Sequence, residues 1–226
     1  MLQLLVTILP SLIIVLIFVK SDKFQEPNQS IIKIFIYGII ITIPAFIGNT
    51  IMFEVFRGFG FENLNLLNSF LTAAPIEEGL KFFVLYWFVY KMKDFNEPID
   101  GMVYGVCASL GFATLENYYY VYHMDVGIEP LYLAILRGLS TIPAHGVFGA
   151  LMGYFFMKYA FVRKEKNLFL SFFVPFLLHG LYNFFVGVFF GVSLVIIIVA
   201  WFFAIRFFLI MKKKQKIKKR EYEKKI

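Results

Sequence analysis

The sequence contains only one cysteine and no long polar stretch. A single Cys107 cannot form a disulfide within the chain, and no CxxC pair is available to hold a metal ion. Hydrophobic residues make up 60% of the 226 positions, and 30 of these are phenylalanine. Soluble domains average about 45–50% apolar residues. The composition therefore argues against a set of soluble domains and predicts a polytopic membrane protein.

Several common catalytic signatures are also absent. There is no HExxH, GxSxG, GxGD or phosphate-binding P-loop pattern. These absences argue against a zincin, a rhomboid-like serine protease, a presenilin-like aspartyl protease and a nucleotide hydrolase. The first apolar run also lacks a preceding basic residue and a small-residue cleavage site, so we interpret it as an uncleaved span.

Long apolar runs fill most of the chain instead. About 20 residues are needed for a helix that crosses the ~30 Å hydrocarbon core, and seven segments approach or exceed this length. They are Leu2–Val19, Ile34–Phe53, Leu66–Tyr90, Met102–Tyr122, Leu131–Met157, Phe169–Phe189 and Val192–Met211. We therefore predict an all-α transmembrane bundle of about seven spans. It forms a single domain over residues 1–211, followed by a basic tail over residues 212–226.

The basic residues predict how this bundle is oriented. The net charge is +7, and lysines and arginines crowd the tail. If the tail is cytoplasmic, seven spans place the N-terminus outside, and only Arg57 of the 22 lysines and arginines falls in an outer loop. We expect the tail to contact anionic lipid. We expect no nucleic-acid binding, because no folded domain is left to read bases.

Five carboxyl and imidazole side chains lie within the predicted spans: Glu77, Glu78, Glu116, His145 and His179. A rise of ~1.5 Å per residue places all five in the middle third of the bilayer. Ionisable groups at this depth are costly, and they usually face a bundle interior and serve a function. The sequence therefore predicts one shared site to which four helices contribute.

Helical spacing places further polar groups beside these five. Residues three or four apart share a helix face, as do Glu77 and Glu78 with Lys81, Arg137 with Thr141 and His145, and His179 with Asn183. Carboxylates and imidazoles can activate water, and an asparagine can donate a hydrogen bond to a developing oxyanion. We interpret the set as the site of a membrane-embedded hydrolase.

Two other functions fit the same residues. An ion-coupled transporter also uses intramembrane glutamate, histidine and lysine, although the chain is small and has no internal repeat. A non-catalytic scaffold or immunity protein would use them only to join helices. Interhelical hydrogen bonds average about 0.6 kcal/mol, which is a weak reason to bury so many ionisable groups.

Four short blocks, in order, resemble the PrsW family of bacterial intramembrane proteases. They are Pro75–Lys81 with its EExxK pattern, Phe112–Asn117, Pro143–Gly146 and His179–Asn183. The CAAX prenyl proteases and bacteriocin-processing enzymes are more distant, since their pattern is EExxxR followed by FxxxH. Here the basic residue is Lys81, one position early, and Thr141 stands where the phenylalanine would be. Prenylated substrates are therefore not expected.

The resemblance implies a role for most of these residues. Glu77 and His145 would hold and deprotonate a water molecule, and Glu78 would support the pair. His179 and Asn183 would polarise the scissile carbonyl and bind the oxyanion. The supporting residues would be Lys81, Glu116, Asn117 and Arg137, although no role is assigned to Glu116 itself.

The resemblance also implies a partner and leaves the cofactor open. We predict that no metal is required, with Zn²⁺ held by Glu77, His145 and His179 as the alternative. The expected substrate is a single-pass membrane protein of the bacterial cell membrane, similar to an anti-sigma factor. It would be cut on the outer side, as the first and signal-triggered step of regulated proteolysis.

Overall fold

A computed structural model describes residues 1–60 and 63–223, with side chains as far as Gln215. Within these ranges the chain is helical and contains no strand. The helices are α1 (Leu2–Ser21), α2 (Asn28–Gly58), α3 (Leu64–Leu66), α4 (Ala74–Trp87), α5 (Pro98–His123), α6 (Pro130–Leu139), α7 (Thr141–Val162), α8 (Lys166–Val188) and α9 (Phe190–Glu223). A π-helical segment, Leu67–Ala73, joins α3 to α4, and a 3₁₀ turn, Val89–Lys91, follows α4. The predicted all-α bundle is confirmed.

Five helical segments are long and apolar enough to cross a membrane. They are Leu2–Ser21, Asn28–Gly58, Pro130–Val162, Lys166–Val188 and Phe190–Gln215. The two other predicted spans correspond to α5 and to the region from α3 to α4, which are richer in polar and small residues. Helix α5 is buried along most of its length, so it does not need an apolar surface towards lipid. The count of seven spans stays a prediction.

One predicted span is divided into two helices, and the boundary between two others is located. The span Leu131–Met157 is two helices, because the helix breaks at Ser140 (φ −122°, ψ −64°). Arg137 therefore lies on α6, whereas Thr141 and His145 lie on α7. The boundary between the sixth and seventh spans falls at Phe189, whose extended backbone (φ −155°, ψ 92°) separates α8 from α9.

The centre of the bundle is the contact between α5 and α7, which is made by glycines. Gly101 and Gly105 on α5 face Gly149 and Gly153 on α7 so closely that an added Cβ would overlap a facing carbonyl oxygen. Small residues four apart are the usual means by which membrane helices approach each other closely. This contact fixes the two helices that carry Glu116 and His145.

Several connections meet at one end of the bundle. Gln215 Nε2 on α9 donates hydrogen bonds to Asp22 Oδ1 (2.8 Å) and Glu97 Oε2 (2.7 Å), which lie after α1 and before α5. Arg163, after α7, donates to the Tyr90 hydroxyl (3.0 Å). These loops and the tail are the ones that the distribution of basic residues predicts to be cytoplasmic. The face of the membrane that this end occupies stays a prediction.

Candidate active site

A polar cavity of about 380 Å³ lies between the helices, towards the end of the bundle opposite to Gln215. Its polar lining includes many of the residues that the sequence predicts for the site, together with other polar residues. These lining residues include Asn49, Asn65, Asn68, Glu77, Glu116, Arg137, Thr141, His145, His179, Tyr182 and Asn183. The structure therefore brings residues from distant parts of the chain to one cavity.

Glu77 lies on the first turn of α4, directly after the π-helical segment. Its side chain is 5% exposed. The Oε1 atom accepts a hydrogen bond from Asn49 Nδ2 on α2 (3.1 Å), whereas Oε2 is buried without a hydrogen-bond partner in the described part of the chain. Buried polar atoms are nearly always hydrogen-bonded. Glu77 Oε2 is therefore an atom that a water molecule or a substrate would satisfy.

Glu78 points away from the cavity and holds two other residues. Its Oε1 atom accepts hydrogen bonds from Lys81 Nζ (2.7 Å) and from His179 Nδ1 (2.8 Å). Both Glu78 and Lys81 are fully buried. Because His179 donates through Nδ1, its other ring nitrogen is directed elsewhere, and Nε2 lies 3.9 Å from Glu77 Oε2. Glu78 thus orients His179 towards Glu77.

Both ring nitrogens of His145 are engaged. Nδ1 lies 3.0 Å from Lys81 Nζ, and Nε2 lies 3.1 Å from Glu116 Oε2. An ammonium group can only donate, so Nδ1 accepts and the Nε2 proton points to Glu116. Arg137 Nη2 donates to the same Glu116 oxygen (2.9 Å), and Arg137 Nε donates to Asn117 Oδ1 (2.8 Å). Glu116 is therefore the shared acceptor of His145 and Arg137.

The far wall of the cavity offers groups that can bind a peptide. Asn183 lies one turn after His179 on α8 and lines the cavity. Next to it, the Tyr182 hydroxyl is hydrogen-bonded to Thr141 Oγ1 (3.0 Å). These amide and hydroxyl groups can donate to or accept from a substrate backbone.

Some lining residues did not emerge from the sequence. Asn49 contacts Glu77, and Asn65 donates to the Phe184 carbonyl oxygen on α8 (2.9 Å). Arg137 also stacks over the Tyr120 ring, with 4.0 Å from its guanidinium carbon to the ring centroid. The sequence did offer a signal for Asn49, which is a polar residue near the end of an otherwise apolar run. Its partner Glu77 is 28 residues away, so helical spacing alone does not identify the contact.

Glu77, His145 and His179 each place one ligand atom within 4.8 Å of the others. Two imidazoles and one carboxylate are a donor set that catalytic zinc uses, with a fourth position open. The unpartnered Glu77 Oε2 suits such an ion. So does His179, because metal-binding histidines usually donate their other N–H to a carboxylate. His145 would have to release Lys81 or Glu116. With that rearrangement, the residues fit a zinc ion.

Comparison with known families agrees with this geometry. Residues 26–210 match the model of the PrsW family, which is described as "PrsW family intramembrane metalloprotease". The matched range contains all the residues of the cavity. No solved structure matches the chain.

Individual relatives bear the name of the same family. The protein named Protease PrsW from Geobacillus kaustophilus is 38% identical over 170 residues, which cover 74% of this chain and 71% of the relative. The one from Oceanobacillus iheyensis is 34% identical over 203 residues, covering 88% and 90%. The one from Bacillus subtilis is 34% identical over 181 residues, covering 78% and 79%. The chain belongs to the PrsW family of intramembrane proteases and is a multi-pass protein of the bacterial cell membrane.

Proposed function

We propose that the cavity hydrolyses a peptide bond of a single-pass membrane protein, with Glu77 as the base that activates water. One observation supports this proposal above the others. Glu77 Oε2 is buried without a hydrogen-bond partner in the described chain, yet it borders a cavity large enough for water and faces His179 Nε2. Glu78 Oε2 also has no hydrogen-bond partner among the described residues, but Glu78 does not line the cavity. Glu77 is therefore the carboxylate whose free oxygen atom water can reach.

In the proposed reaction, Glu77 takes a proton from a water molecule while the water oxygen attacks the scissile carbonyl carbon. The same proton then passes from Glu77 to the leaving amine nitrogen as the C–N bond breaks. The products are a carboxylic acid and an amine, and the Glu77 carboxylate is restored. General-base catalysis of this kind contributes about 10²–10⁴-fold to the rate.

The negative charge that develops on the carbonyl oxygen needs donors. Asn183 supplies an amide N–H at the cavity wall. His179 supplies a second donor when its Nε2 is protonated, and the Glu78 carboxylate at Nδ1 balances the charge of that imidazolium. We assign His145 to positioning Lys81 and Glu116, because both of its ring nitrogens are already engaged. This differs from the role in water activation that the resemblance implied.

A zinc ion held by Glu77, His145 and His179 would supply a Lewis acid for the water and the carbonyl group. We propose that the reaction does not depend on it. Lys81 Nζ lies 4.0 Å from Glu77 Oε2 and 3.0 Å from His145 Nδ1, so a buried positive charge already stands beside the ligand atoms. Like charges this close repel strongly in a low-dielectric interior.

We therefore expect purified protein to cleave its substrate after treatment with a zinc-selective chelator, at a constant Mg²⁺ concentration. Cleavage rate and zinc content per chain should be measured on the same sample. If cleavage disappears with the zinc and returns when Zn²⁺ is added back, the ion is required and the proposal of metal-free catalysis is wrong. Glu77, His145 and His179 would then be the candidate ligands.

Access to the cavity predicts where a substrate is cut. Asn65 on α3 and Met124, which follows α5, lie on the cavity wall near the ends of their helices. This end of the bundle is the outer one in the predicted orientation. A substrate helix must unwind before water reaches its carbonyl groups, because helical carbonyls are hydrogen-bonded. We propose substrates of the anti-sigma-factor type, cut in the outer juxtamembrane stretch or the outermost helical turns.

Sequencing the new N-terminus of a cleaved substrate tests this proposal. We expect it to map outside the cytoplasmic half of the substrate span. A helix-weakening glycine introduced near the outer end of the substrate span should increase the rate of cleavage. The same change near the cytoplasmic end of that span should not. A cut on the cytoplasmic side would contradict the proposed direction of entry, while leaving the assignment of Glu77 to be tested separately.

A further inference from the structure

A second group of carboxylates lies at the end of the bundle opposite to the cavity. On α5, for example, Asp100 of this group is in the first turn, far from Glu116 of the cavity. Asp22 and Glu26 come from the connection between α1 and α2, and Asp100 comes from the first turn of α5. They are 3%, 7% and 0% exposed. One oxygen atom of each lies within 4.8 Å of the others. We call these three residues the acidic cluster.

Neighbouring donors fix each carboxylate through one oxygen atom. Asp22 Oδ1 accepts hydrogen bonds from the Phe24 N–H (3.1 Å) and from Gln215 Nε2 (2.8 Å). Asp100 Oδ2 accepts from two backbone N–H groups just before α5, at 2.9 and 2.6 Å. The second oxygen atoms, Asp22 Oδ2 and Asp100 Oδ1, are buried and have no partner within the described residues. The side chains are therefore held in place with bare oxygens.

Glu26 is held in the same way. Its Oε2 atom accepts a hydrogen bond from the hydroxyl group of Tyr104, one turn after Asp100 on α5 (2.8 Å). This contact ties the connection after α1 to α5. The cluster thus brings three carboxylates together, and none of them forms an ion pair between helices in the described part of the chain.

The amide of Gln215 provides an independent observation, because it is not acidic and comes from a distant helix. The residue is 5% exposed, and its Nε2 atom contacts the cluster through Asp22. Its Oε1 atom is buried and has no partner in the described part of the chain. An amide oxygen beside carboxylate oxygens is a common ligand for Ca²⁺. Gln215 therefore places a buried neutral oxygen, on the same amide group, next to Asp22.

The charge of the cluster is not balanced by the side chains that the structure describes. None of the described lysines or arginines forms an ion pair with Asp22, Glu26 or Asp100. Buried charges are normally paired or coordinated to a metal.

We propose that the acidic cluster binds one hard divalent cation, Mg²⁺ or Ca²⁺, with Asp22, Glu26, Asp100 and Gln215 as its ligands. Both ions prefer oxygen ligands, and carboxylates supply the countercharge that they need. The ion joins three segments that are far apart in sequence: the connection after α1, the start of α5 and the C-terminal part of α9. Its role is to anchor α9 and the tail to the helix that carries Glu116.

The test uses the full chain in lipid nanodiscs, stripped with a chelator and titrated with Mg²⁺ alone or Ca²⁺ alone. A cation that binds only the folded protein raises the apparent Tm, by about 5–10 °C at a concentration about 100-fold above its Kd. We expect this shift from at least one of the two ions. The double variant Asp22→Asn, Asp100→Asn should lose it, whereas Glu54→Gln, at an exposed position on α2, should keep it.

The titration is repeated in Glu77→Gln, which removes a ligand of the candidate zinc set. The shift should persist there, because the acidic cluster is a different set of residues. Equilibrium dialysis of the wild-type protein with each cation, followed by metal analysis, provides a second measurement that does not need the double variant to fold. If neither ion changes the Tm and neither is retained by the wild-type protein, the cluster is not a cation site.

Discussion

Replacing Glu77 with glutamine should lower the rate of substrate cleavage by about 10³-fold or more, within the range expected for loss of a general base. The protein should remain folded, because a glutamine oxygen can still accept the hydrogen bond from Asn49 Nδ2. The apparent Tm should stay constant or rise, since the substitution removes a buried carboxylate oxygen that has no partner in the described chain. Cleavage of a native substrate and a thermal melt should be measured on the same preparation.

The matched control is Glu54→Gln on α2. Glu54 is exposed and, among the described residues, forms an ion pair with Arg57 three residues along. The substitution Glu54→Gln makes the same chemical change at the same predicted end of the bundle, and we expect this variant to cleave substrate at the normal rate. Cleavage that survives in Glu77→Gln but disappears in Glu116→Gln would move the base to the other carboxylate of the cavity. A large loss of Tm in Glu77→Gln would indicate a structural role instead.

The second large effect concerns the fully buried pair of Lys81 and Glu78. Lys81→Met should lower the free energy of unfolding by about 3–5 kcal/mol, because it leaves a buried carboxylate without its ammonium partner. In a protein of this size the apparent Tm should fall by roughly 10 °C or more. Cleavage should fall as well, because Glu78 also orients His179 through Nδ1. Both quantities can be followed in detergent or in nanodiscs.

Removing both charges separates stability from function. The double variant Lys81→Met, Glu78→Leu should recover much of the lost stability, because apolar residues often replace a buried ion pair without cost. It should not recover cleavage, since His179 has lost the acceptor that orients its ring. Lys33→Met, at an exposed position on α2, is the control and should change stability by no more than about 1 kcal/mol. If Lys81→Met changes neither Tm nor cleavage, Lys81 does not carry the charge that holds Glu78.

Much of the candidate site could be predicted because charge inside an apolar run is conspicuous. Glu77, Glu116, His145 and His179 stand out for their cost in a membrane, and a common depth follows from helical rise alone. Spacing also predicted that Glu78 and Lys81 would meet, and their atoms lie 2.7 Å apart. Such contacts are local, so the periodicity of one helix contains them.

The contacts between helices could not be obtained in this way. Glu77 and Glu78 are neighbours on a helix and point about 100° apart, so which of them faces the cavity depends on how α4 packs. The engagement of His145 by both Lys81 and Glu116 joins three helices. The break at Ser140 was hidden because the apolar run continues through it. The glycines at four-residue spacing on α5 and α7 were a usable signal for a close helix contact.

The glycine contact between α5 and α7 sets a limit on how this protein can vary. The two helices touch there through backbone atoms, so there is no side chain whose size could be adjusted gradually. Even one methyl group at Gly149 would force the helices apart. The 3.1 Å hydrogen bond between Glu116 and His145 spans the same pair of helices and would lengthen with them. The positions of Glu116 and His145 in the cavity wall thus depend on hydrogen atoms at four positions that never meet a substrate.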